Sequence, residues 1–405
     1  MPNSKWQEID LRKELRYIKG KAPSRLFEDH EQGTLPYLSP EYLRGNAPAK
    51  SFCLESASVK VKDDDLILLW DGSNAGEVLR AKAGAVASTM AQIVFDESGI
   101  EPTFFYYFLK NHEDKIRGQI RGSGVPHVDK QIIGELPSLI PLNPAEQRAI
   151  ADILSTLDEA IAQSESLVRK YQSIKRGLMS DLLTRGVDEV SQTHLVDSVI
   201  GDKPANWKLS DVRREFDIEA GFTLGQQRRP RKNTRKYLRV ANVPRWDINL
   251  DDLAEIEVFG KEMTIKSLRE NDLLVIEGHA NPNEIGRCAI VRKQAEGLTF
   301  QNHIFRLRTR GIDTQFALIW LNSDWVRGYW RNHTSTSSGL YTINRAMLEK
   351  LPIPIPSKDE QEKIADVIFS CDKQTKTEEN LLNKLRLLKQ GLMQDLLSGQ
   401  VRVKV

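Results

Sequence analysis

The sequence predicts an α+β protein with a pseudo-two-fold internal repeat: two β-rich domains, each followed by one long helix. Three observations predict it. Residues 146–187 align onto 360–401 without a gap at an offset of 214, with 17 identities in 42 positions. Both copies space their apolar residues at the mixed three- and four-residue steps of a helix with one buried stripe. The segments ahead of the two helices, 1–143 and about 200–358, echo each other more weakly and carry short apolar runs broken by Gly, Asn and Asp. A chain of 405 residues is too long for one ordinary core, and two to three domains is the prior.

The helix repeat is the strongest of these signals. Its matches include Glu146/Glu360, Gln147/Gln361, Ile150/Ile364, Ala151/Ala365, Asp152/Asp366, Asp158/Asp372, Glu165/Glu379, Leu167/Leu381, Lys170/Lys384 and Lys175/Lys389, and they close on "GLMSDLL" and "GLMQDLL". Two unrelated amphipathic helices share leucines and charges but not such a run. Each copy follows a Pro-rich segment, "ELPSLIPLNP" or "EKLPIPIPSKDE", which stops one element and starts the next. At 1.5 Å per residue, ~40 helical residues make a rod of ~60 Å. Such a rod cannot bury its stripe alone, and its natural partner is the other copy. The plainer reading is two helices that pack on separate cores; length favours a spacer. The expected organisation is therefore a domain over 1–143, a helix over 144–187, a second domain over 188–358 with a short linker at 188–206, and a helix with a tail over 359–405.

The domains have diverged further than the helices. Trp6 and Trp207 each open a stretch that reaches Gly20 and Gly221. Tyr37-Leu38 matches Tyr237-Leu238, "DDLILLWDGSNAGE" resembles "NDLLVIEGHANPNEIG", and "TFFYYFLKN" resembles "TQFALIWLNS". A Ser/Gly-rich loop and a Leu-Pro pair follow in each copy.

Net charge is only +2, so any affinity for polyanions has to come from local distribution. Residues 221–246 carry eight Arg or Lys and no acid. Arg228, Arg229, Arg231, Lys232 and Arg235 are the expected phosphate contacts there. Lys19, Lys21 and Arg25 are the milder equivalent in the first domain. A basic run is often only a solvated face; its recurrence at matching places in both domains favours nucleic acid. The loops after the apolar strands offer Asp71, Ser73, Asn74, His279, Asn281 and Asn283, residue types that pair with base edges and also populate plain hairpin turns. Ser123 and Ser335 lie in the Ser/Gly loops, where small residues let a backbone approach phosphate.

Catalytic constellations are scarce. No GxGxxG follows a strand and no GxxxxGK[ST] occurs, so a motor or a dinucleotide fold is unsupported. The string "ANPNE" lacks the second proline and the aromatic of an amino-methyltransferase motif. There is no HExxH, and Asp71, Glu77 and Lys82 lack the spacing of a nuclease. The expectation is a non-catalytic chain with no metal and no cofactor of its own. The cysteines Cys53, Cys288 and Cys371 are odd in number and far apart, with no CxxC pair, and indicate neither a disulfide framework nor a thiolate zinc site. With no apolar run near the ~20 residues of a membrane helix and no signal-peptide core at the N-terminus, a cytoplasmic protein without a membrane partner is expected.

Taken as a set, the two Leu-Pro-x-x-x-Pro segments at 136–141 and 351–356, the Glu-Gln pairs, the Ile-Ala-Asp triplets and the Gly-Leu-Met-x-Asp-Leu-Leu ends resemble the specificity subunits of type I restriction–modification enzymes. The resemblance covers essentially the whole chain. It implies two target-recognition domains separated by an antiparallel coiled coil, each reading one half of a bipartite, asymmetric site on double-stranded DNA. One helical turn between half-sites is ~34 Å, a gap such a rod can span. It further implies two modification subunits that bring S-adenosylmethionine and methylate adenine, and two motor-nuclease restriction subunits that use ATP and Mg. The competing reading is a non-enzymatic coiled-coil scaffold whose terminal domains bind proteins. Salt separates the two, because phosphate contacts weaken steeply as salt rises.

Overall fold

A computed structural model of the chain describes residues 6–45, 47–95, 99–118, 126–188, 194–260, 262–334 and 339–405. The chain forms two compact units. One takes residues up to Ser166 together with Glu379–Val405, and the other takes Leu167–Glu378. The long helices run Pro144–Arg185 and Lys358–Leu397, starting within one residue of the positions the prolines indicate. Each unit takes one β-rich domain, half of the helix that follows it and half of the other long helix.

In the first unit the central sheet is antiparallel, in the order Leu15–Lys19, Met90–Phe95, Leu66–Leu69, Val78–Arg80. The run "LILL" is continuous rather than alternating because the sheet is covered on both faces. Period-two geometry sends Leu66 and Leu68 into one core and Ile67 and Leu69 into another. The first of these cores is filled by the helix Pro102–Asn111, whose Phe104, Phe105, Tyr107 and Phe108 are buried. It also takes Ile150, Ala151 and Leu154 from the start of one long helix, and Leu396 and Leu397 from the end of the other.

The second unit repeats the plan. Its sheet runs Phe216–Ala220, Ile304–Thr309, Leu273–Ile276, Cys288–Ile290. Leu273 and Val275 enter one core while Leu274 and Ile276 enter the other. The helix Thr314–Leu321 stands where Pro102–Asn111 stands in the first unit, and Met179, Leu182, Leu183, Ile364, Ala365 and Ile368 complete the core from the long helices.

The repeated Glu-Gln pairs are structural clamps. Gln147 donates through Nε2 to the Pro141 carbonyl at 2.9 Å and accepts the Glu101 amide at 2.6 Å. Gln361 does the same with the Pro356 carbonyl at 2.9 Å and the Asp313 amide at 2.7 Å. Glu101 and Asp313 are themselves the N-caps of the two buried helices. The Glu beside each Gln accepts an indole N–H: Trp6 reaches Glu146 at 3.3 Å, and Trp207 reaches Glu360 at 2.8 Å. A buried polar group must find partners, and each of these residues does so at an equivalent place. Arg402 adds a two-pronged contact to Glu146 at 2.7 and 2.8 Å, whereas Glu360 accepts the Val187 amide at 3.1 Å.

Within each unit the two helix segments run antiparallel. In the first, Lys389 pairs with Asp158 at 2.5 Å and Arg386 with Glu165 at 2.7 Å. In the second, Lys175 pairs with Asp372 at 2.6 Å. The offset of 214 maps Asp158 onto Asp372 and Lys175 onto Lys389, so one ion pair is built twice with the helices exchanging roles. Tyr107 joins the first pair, donating to Asp158 at 2.7 Å; burial pushes its hydroxyl pKa up. Lys175 lies 3.9 Å from the Trp246 ring centroid, a cation–π contact with the domain.

Candidate nucleic-acid interface

The basic arm is a lobe pinned at both ends to one short strand. Phe222 donates its amide to the Phe300 carbonyl at 2.8 Å, and Tyr237 and Leu238 return to pair in parallel with Thr299 and Phe300. Gly221 is required at the root, because a Cβ there would sit 2.2 Å from the carbonyl oxygens of Phe300 and Gln301. A Cβ at Gly20 would sit 2.2 and 2.3 Å from the carbonyl oxygens of Ala87 and Val86, the same close approach in the other unit. The arm's last strand, Thr234–Leu238, also pairs antiparallel with Ala254–Glu257.

The eight cations of this segment divide into two groups. Arg229, Arg231, Lys232, Arg235 and Lys236 are exposed. Arg228, expected among the phosphate contacts, is instead paired inside the lobe. It donates to the Glu262 carboxylate at 2.9 and 3.0 Å and lies 4.5 Å from the Phe222 ring centroid. The Arg228 guanidinium in turn holds the Glu262 carboxyl below its ordinary pKa. Arg239 is bound to Asp252 at 2.6 Å. Arg245 is engaged by the Asn322 side chain at 3.0 Å and the Asn283 carbonyl at 2.9 Å, and burial pulls its pKa down. Their partners lie from 13 to 77 residues away along the chain, beyond any local reading of charge. Lys232, Asn233, Thr234, Arg235, Val258 and Gly260 line an open, polar cleft of about 340 Å³.

In the first unit Lys19, Lys21 and Arg25 are exposed. Lys19 donates to Asp71 at 2.8 Å, which brings one expected phosphate contact and one expected base contact together. Arg25 lies over Phe27 with its guanidinium carbon 4.6 Å from the ring centroid.

The two candidate base-reading loops are positioned in the same way. Each leaves the buried central strand and is held by the segment after the Ser/Gly loop. Val128 donates to the Trp70 carbonyl at 2.9 Å, and Ile343 donates to the Glu277 carbonyl at 2.8 Å. Asp71 bridges to His127, while Gly278 and His279 pair with Thr342 and Tyr341. The tips differ. Ser73 is exposed; Asn74 accepts from Arg117 at 3.3 Å. His279 accepts the Asn281 amide at Nδ1, 2.9 Å, which leaves Nε2 to carry the proton of the neutral ring. The Asn281 side-chain Oδ1 accepts the Asn283 amide at 3.0 Å, so a two-pronged adenine contact competes with this turn. Asn283 accepts from Arg331 at 3.2 Å. Ser123 and Ser335 lie outside the described residues.

Sequence reasoning missed Glu257, Arg331 and Tyr341. Glu257 is one acid in an ordinary strand, and only the fold shows that it faces the basic arm. Among the described residues no group of three or more His, Cys, Asp and Glu could hold a metal ion, and no helix is long and apolar enough to cross a membrane.

A sequence model described as "Type I restriction modification DNA specificity domain" matches this chain twice, over residues 3–174 and 216–387. The chain is 28% identical over 403 residues to the type I restriction enzyme MjaVIII specificity subunit of Methanocaldococcus jannaschii, covering 98% of this chain and 93% of that protein. It is 22% identical to the EcoBI specificity subunit of Escherichia coli, covering 98% and 86%. Among solved structures, the type I restriction–modification S subunit from M. genitalium has a similar fold, with a TM-score of 0.60 at 16% identity, covering 98% of this chain and 97% of that one.

Proposed function

This chain belongs to the type I restriction–modification DNA specificity family, and from that premise we propose how its two units divide the work. The chain is a DNA-recognition subunit and does no chemistry itself. Each unit reads one half of a bipartite site. The observation that carries this reading is one sheet, one buried helix and one tethered loop built twice, with different chemistry at the loop tips: Asp71, Ser73 and Asn74 in one, His279, Asn281 and Asn283 in the other. A scaffold for two copies of one protein needs no such divergence. Arg229, Arg231, Lys232 and Arg235 in the second unit, and Lys19, Lys21 and Arg25 in the first, supply phosphate contacts that position the loops without reading sequence.

The catalytic partners follow from the same proposal. Two modification subunits carry S-adenosylmethionine and methylate adenine, and two motor-nuclease subunits that use ATP and Mg complete a restriction assembly in the cytoplasm. Three exposed apolar positions per unit support docking of two equal partners: Ile153, Leu381 and Leu388 in the first, Val367, Leu167 and Ile174 in the second. The offset of 214 maps each of the first set onto the second. Footprinting on duplex DNA with the modification subunits present tests the reading. Two short protected tracts with an unread spacer are expected; one continuous tract contradicts it.

A further inference from the structure

We propose that Glu257 is a positioning residue for DNA binding: it holds the tip of the basic arm in one shape, so that the exposed cations meet several phosphates at once. The inference rests on the reading that this arm contacts phosphate.

Glu257 closes the strand Ala254–Glu257 and is 4% exposed. Its carboxylate accepts three consecutive backbone amides, from Arg231 at 2.8 Å, Lys232 at 3.1 Å and Asn233 at 2.9 Å. Successive N–H groups closing on one anion form the concavity with which backbones elsewhere bind phosphate. Here an internal carboxylate fills it. The amides are spent on shape, and the Arg231 and Lys232 side chains remain exposed. The hydrogen bonds, that from the Asn233 amide foremost, hold the Glu257 carboxyl below its ordinary pKa, so it stays charged at neutral pH.

Three further contacts lock the same place. Thr234 pairs with Glu257 across the ladder, Val258 donates to the Asn233 carbonyl at 3.1 Å, and Arg228 donates to the Glu257 carbonyl at 3.3 Å. Arg228 is thus a brace of the arm, held in turn by Glu262. Long cations on a loose loop must order the backbone before they can bind together, and a loop already in shape avoids that cost. An acid among cations lowers their summed charge. Its presence at this point, fully engaged by backbone donors, is accounted for by geometry rather than by charge.

The test uses the full chain assembled with its modification subunits and a random-sequence duplex, since phosphate contacts do not depend on sequence. The slope of log affinity against log salt falls by about 0.9 for each phosphate that is no longer neutralised. Replacing Glu257 by Gln keeps size and removes charge. The expected result is a slope shallower by the equivalent of about two phosphates, with affinity at moderate salt down roughly tenfold; the lost carboxylate acceptor also lowers the melting temperature, so binding is measured well below it. The double variant Arg231→Ala/Lys232→Ala separates the two claims. If it leaves the slope unchanged, the arm's tip does not contact phosphate and the reading on which the proposal rests fails. If it lowers the slope but Glu257→Gln does not, the positioning role alone fails. If Glu257→Gln does not fold, hydrogen exchange on the native assembly decides. Amides 231–233 protected before DNA is added support the inference, and free exchange that slows only on DNA addition overturns it.

Discussion

Gln147 and Gln361 show how much a single residue can settle. Each links a Pro-rich strand to the cap of a buried helix, through a side-chain amide that is 2% exposed. Their recurrence was plain in the sequence, but their task was not, because the partners Glu101 and Asp313 lie 46 and 48 residues upstream. The glycines at the arm and sheet roots make a sharper case. Gly20→Ala and Gly221→Ala each drive a Cβ into backbone carbonyls and should cost roughly 1–3 kcal/mol in denaturant unfolding. Gly311→Ala, with no atom within 4 Å of the new Cβ, should be close to neutral. Glu77 provides a pH test. The Arg44 guanidinium, 2.9 Å away through Nε, holds its carboxyl below the ordinary 4.5. A depressed carboxylate contributes stability above its unfolded value and loses it as pH falls through the lower, folded one. Glu77→Gln should therefore lower the melting temperature at pH 7 and flatten its fall below about pH 4.5. The charge of the basic segment was legible from the sequence alone. Which of its cations are free to act was not, because Glu262, Asp252 and Asn322 reach Arg228, Arg239 and Arg245 only through the fold.

At the scale of elements, the long helices were legible because a 3.6-residue period sustained over forty residues has no competing explanation. The sheets were legible only as short apolar runs. Strands of three to six residues pair with partners well down the chain, and nothing in Leu66–Leu69 announces Met90–Phe95 as its neighbour. The divided ownership of each helix was also hidden, since periodicity gives a stripe and not what covers it. The twin ion pairs test the helix pairing. Double-mutant cycles at Asp158/Lys389 and at Lys175/Asp372 should give coupling energies equal within error, each about 0.2–1 kcal/mol for partly exposed pairs. Unequal values would indicate that Tyr107 or Trp246 carries the contact. The exposed apolar positions of the helices make a second prediction. Leu388→Glu or Ile174→Glu alone should reduce the bound modification subunits from two to one, as read by native mass spectrometry. The control Leu54→Glu, exposed but away from the helices, should leave two.

At the scale of the whole molecule, the repeat carries the function. Two units share an order of strands, a buried helix and a clamp of Glu, Gln and Trp, and they differ where their loops and basic segments face solvent. Conserving the frame while varying the tips is what a reader of two unlike half-sites needs. The sequence disclosed the repetition directly, because the helices share 17 identities in 42 aligned positions. The tips disclosed little, because base recognition depends on which donors and acceptors the fold leaves unspent, as the Asn281 Oδ1 illustrates. The most direct measurement is methylome sequencing of cells that carry this chain with its modification subunits, before and after residues 200–350 are replaced by the corresponding segment of a relative. The account predicts a bipartite methyl-adenine motif in which the exchange rewrites one half and leaves the other intact. A single continuous motif, or an exchange that alters both halves, would contradict it.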